Sequence, residues 1–309
     1  MLLLFGGGLD GRLAREVLTR QGAEVEAVHF DTGYVHTVRR RVVAEDGVEH
    51  VDVAREYLRE VVLAPRHGYG AGLNACLDCR AFLLRRAAEI ARARGIETVA
   101  TAEVVGQRAF DQSRSALETS ERDAGLAGRV VRPLSAGPGA TDGPRLHGSG
   151  RGAQRDLARR LGIDPGAPPG GGCCLLVDRA FARRLRDLVE HRDPATIERA
   201  DLELLRVGRH YRLDWAGRLV VARDEAECRW LESRAGDAWV CRAADRPGAL
   251  GLLDADPDGE RGARAAAIVA RHGPAEPGAV VPVVMSRGAA VRRVDGRAAS
   301  DSDLRAWRV

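Results

Sequence analysis

Four of the six cysteines stand in two short groups whose spacing is typical of metal or redox chemistry. Cys76 and Cys79 form a C-x-x-C motif at the start of a predicted helix, and Cys173 and Cys174 lie together in a glycine-rich loop. A helix start lowers the pKa of a thiol, which favours the thiolate needed for nucleophilic attack or metal binding. A C-x-x-C motif alone fits a redox pair, half of a zinc site or part of an iron–sulfur site. Three thiolates with a fourth position left open would hold a cluster whose free iron meets substrate.

A second chemical feature is the glycine turn Gly6–Gly8, which follows the apolar run Leu2–Phe5 and precedes a helix that starts at Leu9 or Asp10. Glycines let the backbone approach a bulky anion, and the unpaired N–H groups of a helix start attract negative charge. A plain strand-to-helix turn fits this spacing equally well. Neither the Walker pattern nor G-x-G-x-x-G is present. Because all 48 basic residues are arginine, a lysine Schiff base and a P-loop lysine are excluded.

Composition narrows the class of protein. At 309 residues we expect about two domains, and a hydrophobic fraction of 45% is ample for their cores. The net charge of +4 is too small to prove a nucleic-acid partner. No apolar run approaches the ~20 residues of a membrane span, and Met1 is not followed by the basic leader of a signal peptide. We therefore expect a cytoplasmic protein without membrane contact, in which Cys228 and Cys241 are ordinary reduced cysteines.

The elements that must position these residues alternate between strand and helix over residues 1–134. The predicted elements are a helix to about Arg20, strands at 24–30 and 48–53, helices at 54–62 and 76–94, and strands at 98–101 and 129–134. This alternation predicts an α/β fold with a doubly wound parallel sheet. Ligands of such sheets bind beyond the carboxyl ends of the strands. The glycine turn and the polar segments 29–31, 101–107 and 132–135 fall at those ends, so we expect the ligand there.

An arginine excess surrounds the cysteine loop. Residues 145–186 contain nine arginines against three acids, in two predicted helices that flank the loop. One arginine-rich helix is more often a solvated face, but two favour a surface for a polyanion.

Beyond Asp193-Pro194 the pattern changes to short strands, a helix at 262–271 and a hairpin at 280–293, which predict a smaller α+β domain. We expect a first domain at 1–190, containing a Gly/Pro/Ser-rich connector at 135–150, and a second domain at 195–309.

Several segments together resemble the PP-loop ATPases that thiolate tRNA, namely the 4-thiouridine synthetases and tRNA 2-thiouridylases, which have an adenine nucleotide alpha hydrolase-like fold. The segments are Gly6–Gly11 at the S-G-G-x-D-S position, His67–Gly70 with Asn74–Cys79, Thr101–Arg108, Arg132–Leu134 and Gly171–Asp178. Each motif is weak alone, but five in this order over residues 1 to about 190 are fairly specific.

The resemblance implies that ATP binds the first loop and adenylates the carbonyl oxygen of a tRNA uridine, after which sulfur displaces AMP. Asp10 would hold Mg²⁺ and pyrophosphate, and the backbone at 29–31 would contact adenine. Cys76, Cys79 and Cys174 would hold a [4Fe-4S] cluster that carries sulfide, with a cysteine persulfide as the alternative. Cys174 fits the family position better than Cys173. The sulfur donor would be sulfide or a persulfide carrier.

The implied site residues can be named by role. The catalytic residues are Asp10, Cys76, Cys79 and Cys174, of which the three cysteines are also the metal ligands. The ATP-binding residues are Gly6, Gly7, Gly8, Asp10, Gly11, His29, Phe30, Asp31, Glu103, Gln107 and Arg132.

The chain departs from the family at both serines of S-G-G-x-D-S, which are Gly6 and Gly11 here. A hydroxyl bonded to a charged phosphate contributes ~1.5–3 kcal/mol, so the loss weakens ATP binding. Two further hypotheses therefore stay open. One is a non-catalytic RNA-binding relative with a degenerate loop, and the other is an ATP pyrophosphatase of PP-loop type that acts on a small molecule.

A second resemblance concerns the C-terminal part. Leu204–Leu213, with Val220–Asp224, resembles the small RNA-binding module at the C-terminal end of NFACT proteins. This resemblance implies an RNA partner, in agreement with a tRNA substrate.

Overall fold

The computed structural model describes residues 1–35, 47–135, 143–148, 150–166 and 174–309. Half of the connector predicted at 135–150 (residues 136–142 and 149), and Gly171–Cys173 of the cysteine loop, therefore lie outside the described residues. The chain divides into two compact units, Met1–Arg179 and Ala180–Val309. The helix at 179–191 falls almost wholly in the second unit, while the domain boundary expected between 190 and 195 stays a prediction.

The first unit is built on a five-stranded parallel sheet in the order β3-β2-β1-β4-β5. Its strands are β1 (Leu2–Leu4), β2 (Glu26–Asp31), β3 (Val48–Asp52), β4 (Val99–Thr101) and β5 (Val130–Val131). Its helices are α1 (Leu9–Arg20), α2 (Ala54–Tyr57), α3 (Cys76–Ala93), α4 (Arg114–Asp123) and α5 (Gly152–Leu161). The predicted parallel sheet is confirmed, and the predicted helices and strands of this region are present with small shifts at their ends.

One predicted helix differs in kind. The apolar pattern over 54–62 predicts a single α-helix, whereas the structure has α2 to Tyr57 and then a π-helical turn, Leu58–Val62. The wider turn still buries Leu58, Val61 and Val62. The apolar spacing is therefore compatible with an α-helix and with a π-helical turn. Turns of this kind are frequent at functional sites.

Helix α3 carries the C-x-x-C motif. Leu84, Ala87 and Ala91 lie on its buried face, and Gly95, in a left-handed conformation with φ of 69°, follows its end. A helix that connects two parallel strands runs antiparallel to them, so its first turn lies at the carboxyl edge of the sheet. Cys76 and Cys79 are thereby placed at the same edge as the glycine turn.

The second unit contains a six-stranded sheet in the order β11-β10-β8-β9-β7-β6, whose neighbouring strands are antiparallel. Its strands are β6 (Arg209–Arg212), β7 (Arg218–Val221), β8 (Trp239–Ala243), β9 (Gly251–Leu253), β10 (Val280–Arg287) and β11 (Ala290–Arg297). Its helices are α6 (Arg179–His191), α7 (Arg199–Leu204), α8 (Glu225–Glu232), α9 (Gly259–Arg271) and α10 (Asp301–Trp307). Throughout the described part of the chain, every helix is too short or too polar to span a bilayer.

Helix α9 packs on this sheet through small side chains. Ala265, Ala266, Ile268 and Val269 are buried against strand residues. Where β11 passes under the helix, Gly296 lies so close that an added Cβ would come within 2.6 Å of the backbone of Ala266. The backbones of strand and helix are therefore in direct contact at this point.

We expect Gly296→Ala to lower the free energy of unfolding by about 1–3 kcal/mol, because helix and strand must separate to admit the methyl group. Gly152→Ala is the matched control, since a Cβ there meets no heavy atom within 4 Å. Urea unfolding followed by circular dichroism measures both variants. Equal midpoints for the two variants would contradict the close packing.

Candidate functional site

The glycine turn lies at the carboxyl end of the central strand and is open above its backbone. Gly7 has a φ of 67°, which only glycine adopts easily, and Gly8 is extended and directly precedes α1. Gly6 and Gly8 are exposed, and a Cβ on either would meet no heavy atom within 4 Å. The turn can therefore admit an anion of some size against its backbone.

Gly11 differs from Gly6 in its surroundings. It is buried in the first turns of α1, and an added Cβ would lie 3.2 Å from two ring carbons of Phe5. The Phe5 side chain therefore fills the space next to Gly11. Asp10, one residue earlier, is partly exposed in the first turn of the helix, where the helix dipole favours a carboxylate.

The end of β2 is fastened to the glycine turn by a histidine. His29 Nδ1 donates to the carbonyl oxygen of Phe5 at 2.9 Å, so the ring proton must reside on Nδ1. Burial, with a smaller effect of His50, lowers the pKa of His29, and the ring is neutral at physiological pH. Phe30 is buried, while the Asp31 carboxylate accepts from the Gly33 amide at 2.9 Å. His29 and Asp31 thus shape the backbone of this edge.

Beside the glycine turn, the end of β4 leads into a buried ion network. Leu4 of β1 pairs with Thr101 of β4, which brings Glu103 near the turn. The Glu103 carboxylate binds Arg80 of α3, Arg132 at 3.2 Å and the Thr101 hydroxyl. Burial raises the pKa of Glu103, but the two guanidinium groups outweigh it and lower the pKa to about 2. Glu103 is therefore ionised and enclosed by protein groups.

The network continues into the adjoining loops. Arg80 also binds the carbonyl and carboxylate of Asp111, and Arg132 also binds Glu121. Arg108 also binds Asp111, so three arginines contact three carboxylates; Arg80 and Arg132 are buried with those carboxylates, whereas the Arg108 side chain is 43% exposed. Arg132 Nη2 is nonetheless buried without a hydrogen-bond partner among the residues that the structure describes. Gln107 lies in the loop that this network holds, its amide donating to the Val104 carbonyl at 3.1 Å.

The cysteines lie on two segments that are joined by backbone hydrogen bonds. Cys76 and Cys79 occupy the first turn of α3, and the Asn74 amide donates to Cys76 Sγ at 3.5 Å. Cys174 precedes a short 3-10 turn, where its Sγ accepts from the Leu176 amide at 3.4 Å. The Leu73 amide donates to the Leu176 carbonyl at 2.8 Å, which brings the two segments together.

Tyr57 lies among the three thiols. A hydrogen bond joins its hydroxyl to the Cys79 thiol, and Cys174 and Cys76 both interact with it electrostatically. Burial, followed by these thiols, raises the pKa of Tyr57 well above its ordinary value, so the hydroxyl keeps its proton. The ring is 2% exposed and stands edge-on to Phe82 of α3 at 5.6 Å. Three sulfurs from two segments that are distant in sequence therefore share one buried neighbour.

The described residues do not form a ready ligand group for a metal. Within ranges 1–35, 47–135, 143–148, 150–166 and 174–309, no three side chains of His, Cys, Asp or Glu are arranged to hold a metal ion. Cys173 lies outside those ranges. The donor chemistry of three thiols suits a cluster, yet the described arrangement gives no coordination geometry for one.

The structure thus brings the predicted residues into two neighbouring groups at one edge of the sheet. The first consists of the glycine turn, the end of β2 and the ion network, and the second is the group of thiols. Sequence analysis missed Tyr57, for which no pattern gave a signal. It also missed Arg80, although this residue occupies a buried position of α3 in register with Leu84 and Ala87. A charge at an apolar position predicts a buried partner.

We expect Glu103→Gln to destabilise the first unit by about 3 kcal/mol at neutral pH, because two buried arginines lose their shared anion. Since the pKa of Glu103 falls from 4.5 to about 2 on folding, its contribution is complete above pH 4.5 and is lost as pH falls towards 2. Urea unfolding at several pH values should show this acid dependence in the parent protein and not in the variant. Glu118→Gln, at an exposed position of α4, is the control and should leave it unchanged.

Comparison with known proteins supports the C-terminal resemblance. Residues 208–308 match the sequence family described as the NFACT protein RNA binding domain. This confirms the module expected there and covers about a third of the chain. No curated protein is significantly similar to the chain in sequence.

Two solved structures align loosely. The C-terminal part of the fibronectin/fibrinogen-binding protein of Streptococcus suis aligns at 11% identity and a TM-score of 0.30, covering 75% of this chain and 90% of that one. A 4-thiouridine synthetase in complex with RNA and bound ATP aligns at 21% identity and a TM-score of 0.34, covering 52% of this chain and 50% of that one. The chain thus spans half of that synthetase, and likenesses this distant carry no argument about activity. What is established is an RNA-binding domain at residues 208–308, joined to a unit built on a parallel sheet.

Proposed function

We propose that this protein is an ATP-dependent enzyme that thiolates a uridine of tRNA. The observation that carries the proposal is the grouping of Cys76, Cys79 and Cys174 around the Tyr57 hydroxyl, with Cys76 and Cys79 in the first turn of α3. Thiols buried for structural reasons alone have no need to share one polar neighbour at the ligand-binding edge of a sheet. The RNA-binding domain at 208–308 supports RNA as the substrate.

The strand order supports a nucleotide site of the PP-loop type. In the order β3-β2-β1-β4-β5, the chain changes direction across the sheet between β1 and β4, as it does in doubly wound folds. Such a switch point leaves a crevice between the two strand ends, and here it adjoins the glycine turn. The buried Arg132 Nη2, without a partner among the described residues, would gain one from an anion in that crevice.

The proposed reaction has two steps. The uridine carbonyl oxygen attacks the α-phosphorus of ATP, and pyrophosphate leaves with the bridging electron pair. A sulfur nucleophile then attacks the activated carbon, and AMP leaves with the former carbonyl oxygen. The turn backbone would hold the phosphates, Asp10 would hold Mg²⁺, and Tyr57 would donate its hydrogen bond to sulfur at Cys79.

Two forms of the sulfur are proposed. An iron–sulfur cluster on Cys76, Cys79 and Cys174 would supply a bound sulfide as nucleophile. In the alternative, the terminal sulfur of a cysteine persulfide attacks, a second cysteine thiolate then releases the thiolated uridine, and the resulting disulfide needs a thiol reductant. A visible absorption spectrum after anaerobic purification distinguishes the two.

A second candidate is a non-catalytic RNA-binding relative. The packing of Phe5 against Gly11 favours it, because a serine at position 11 would press on that ring. A protein that had given up catalysis could retain its fold and its RNA-binding domain. An ATP pyrophosphatase that acts on a small molecule has no observation of its own here, and dependence of pyrophosphate release on tRNA would exclude it.

We expect the purified protein to release pyrophosphate from ATP only with unmodified tRNA, and to form a thiolated nucleoside once a sulfide source is added. Cys76→Ser, Cys79→Ser and Cys174→Ser should each abolish thiolation, detected by mass spectrometry of the digested tRNA, while adenylation persists. Cys228→Ser is the matched control and should retain both activities. Binding of tRNA without pyrophosphate release would favour the non-catalytic relative.

The open space at Gly6 allows a gain-of-function test. Gly6→Ser restores a family hydroxyl where a Cβ meets no heavy atom within 4 Å, so we expect MgATP affinity to rise about tenfold. Gly11→Ser must displace the Phe5 ring and should improve affinity little. Gly152→Ser, also at an open position, controls for the added hydroxyl. Calorimetric titration with MgATP measures all three, and an unchanged affinity in Gly6→Ser would argue against phosphate at this turn.

A further inference from the structure

Trp215 is an exposed aromatic residue on a turn of the RNA-binding domain. It lies between β6 and β7, and 69% of its surface is accessible, more than Phe110 at 65% or Val291 at 60%. Tryptophan is highly buried on average, so an indole left this open needs a reason. The sequence analysis gave this residue no role.

The turn that carries Trp215 is fixed by other residues. One Asp214 carboxylate oxygen accepts from the backbone amides of Ala216 and Gly217 at 3.0 and 2.8 Å. The other accepts from Arg261 Nε at 2.8 Å, which ties the turn to α9. The Leu213 amide donates to the Gly217 carbonyl at 2.9 Å, and the Leu213 side chain is buried. The turn does not depend on the indole for its shape.

One aromatic neighbour supports the indole. The His191 ring lies 4.6 Å from the Trp215 ring, centroid to centroid, at an interplanar angle of 54°. His191 is itself placed by α6, since its Nδ1 lies 2.8 Å from the Asp187 carbonyl. Asp187 in turn forms a two-point ion pair with Arg212 of β6, at 2.9 and 2.6 Å. Helix and hairpin therefore hold the indole in a fixed orientation with much of its surface in solvent.

The charges near the indole suit an RNA strand. Arg183 is exposed on α6, about two turns before His191 and within a quarter-turn of it around the helix axis. Asp187 and Asp214, which hold the histidine and the turn, are each paired with an arginine, Arg212 and Arg261 respectively. Arginines that contact phosphate and an aromatic ring that stacks on a base are the two components of single-strand binding.

We propose that Trp215 is a stacking platform for an unpaired RNA base, with Arg183 of α6 contacting a phosphate of the same strand. The fixed turn means that little conformational entropy is lost on binding. A base in a duplex is already stacked and presents no free face, so the platform selects unpaired nucleotides. This inference rests on the proposed RNA substrate and identifies the surface that binds it.

The test compares full-length variants on two probes, a single-stranded oligouridylate of about 12 nucleotides and a blunt RNA duplex. Trp215→Ala should weaken oligouridylate binding about tenfold and leave duplex binding unchanged, whereas Trp215→Phe should retain most of the affinity. Oligouridylate should quench the tryptophan fluorescence of the parent protein, and Trp215→Phe should lose that quenching. Arg183→Ala should weaken binding to both probes and reduce its salt dependence.

Val291→Ala, at another exposed apolar position of the domain, is the control and should bind like the parent protein. Thermal unfolding verifies that each variant is folded. Equal oligouridylate affinity in the parent protein and Trp215→Ala overturns the inference, as does a change in self-association without a change in RNA affinity, which would make the residue a protein contact. If the parent protein binds neither probe nor tRNA, it is the proposed function that fails.

Discussion

The arrangement of the first unit depends on the buried contact of Glu103 with Arg80 and Arg132. Arg80 belongs to the helix that carries Cys76 and Cys79, while Glu103 and Arg132 follow strands β4 and β5. One carboxylate thus fixes the cysteine helix to the ends of two strands. Buried charges are costly unless they are paired and hydrogen-bonded, and here each buried carboxylate contacts at least one arginine. The cost of burying these charges is offset by their pairing, which holds α3 and the ends of β4 and β5 in one arrangement.

Some features of the thiol group follow from the local sequence, and others depend on contacts between distant segments. The C-x-x-C spacing and the start of α3 are local, so the sequence predicted where Cys76 and Cys79 would lie on the helix. Tyr57 comes from the segment after β3, and its ring packs against Tyr34 and Phe82. No periodicity in the sequence marks such a contact, because it depends on how α2 and its π-helical turn cross α3.

The fold was more predictable than the site. Apolar alternation and helix-ending glycines gave most elements of the first unit, because those signals act over a few residues. Glu103 and Arg132 follow buried strands, where a ligand was expected, and the family resemblance implied that this ligand is ATP. The structure engages both residues in the ion network. The polarity of a residue at a strand end is readable from sequence, but its partners come from other segments. The ion pairs of Glu103 and Arg132 join different segments, so they could not be predicted from the sequence.

The two glycines that stand where the family has serines differ in their surroundings. Gly11 is closely packed, because an added Cβ would lie 3.2 Å from two ring carbons of Phe5 and the ring would have to shift. Gly6 faces open space, so nothing in the described packing demands a glycine there. Phe5 and Gly11 pack the end of β1 against α1, while the backbone at Gly6 stays clear of side chains. Of the two departures from the family pattern, only the one at position 11 is therefore tied to the packing of the fold.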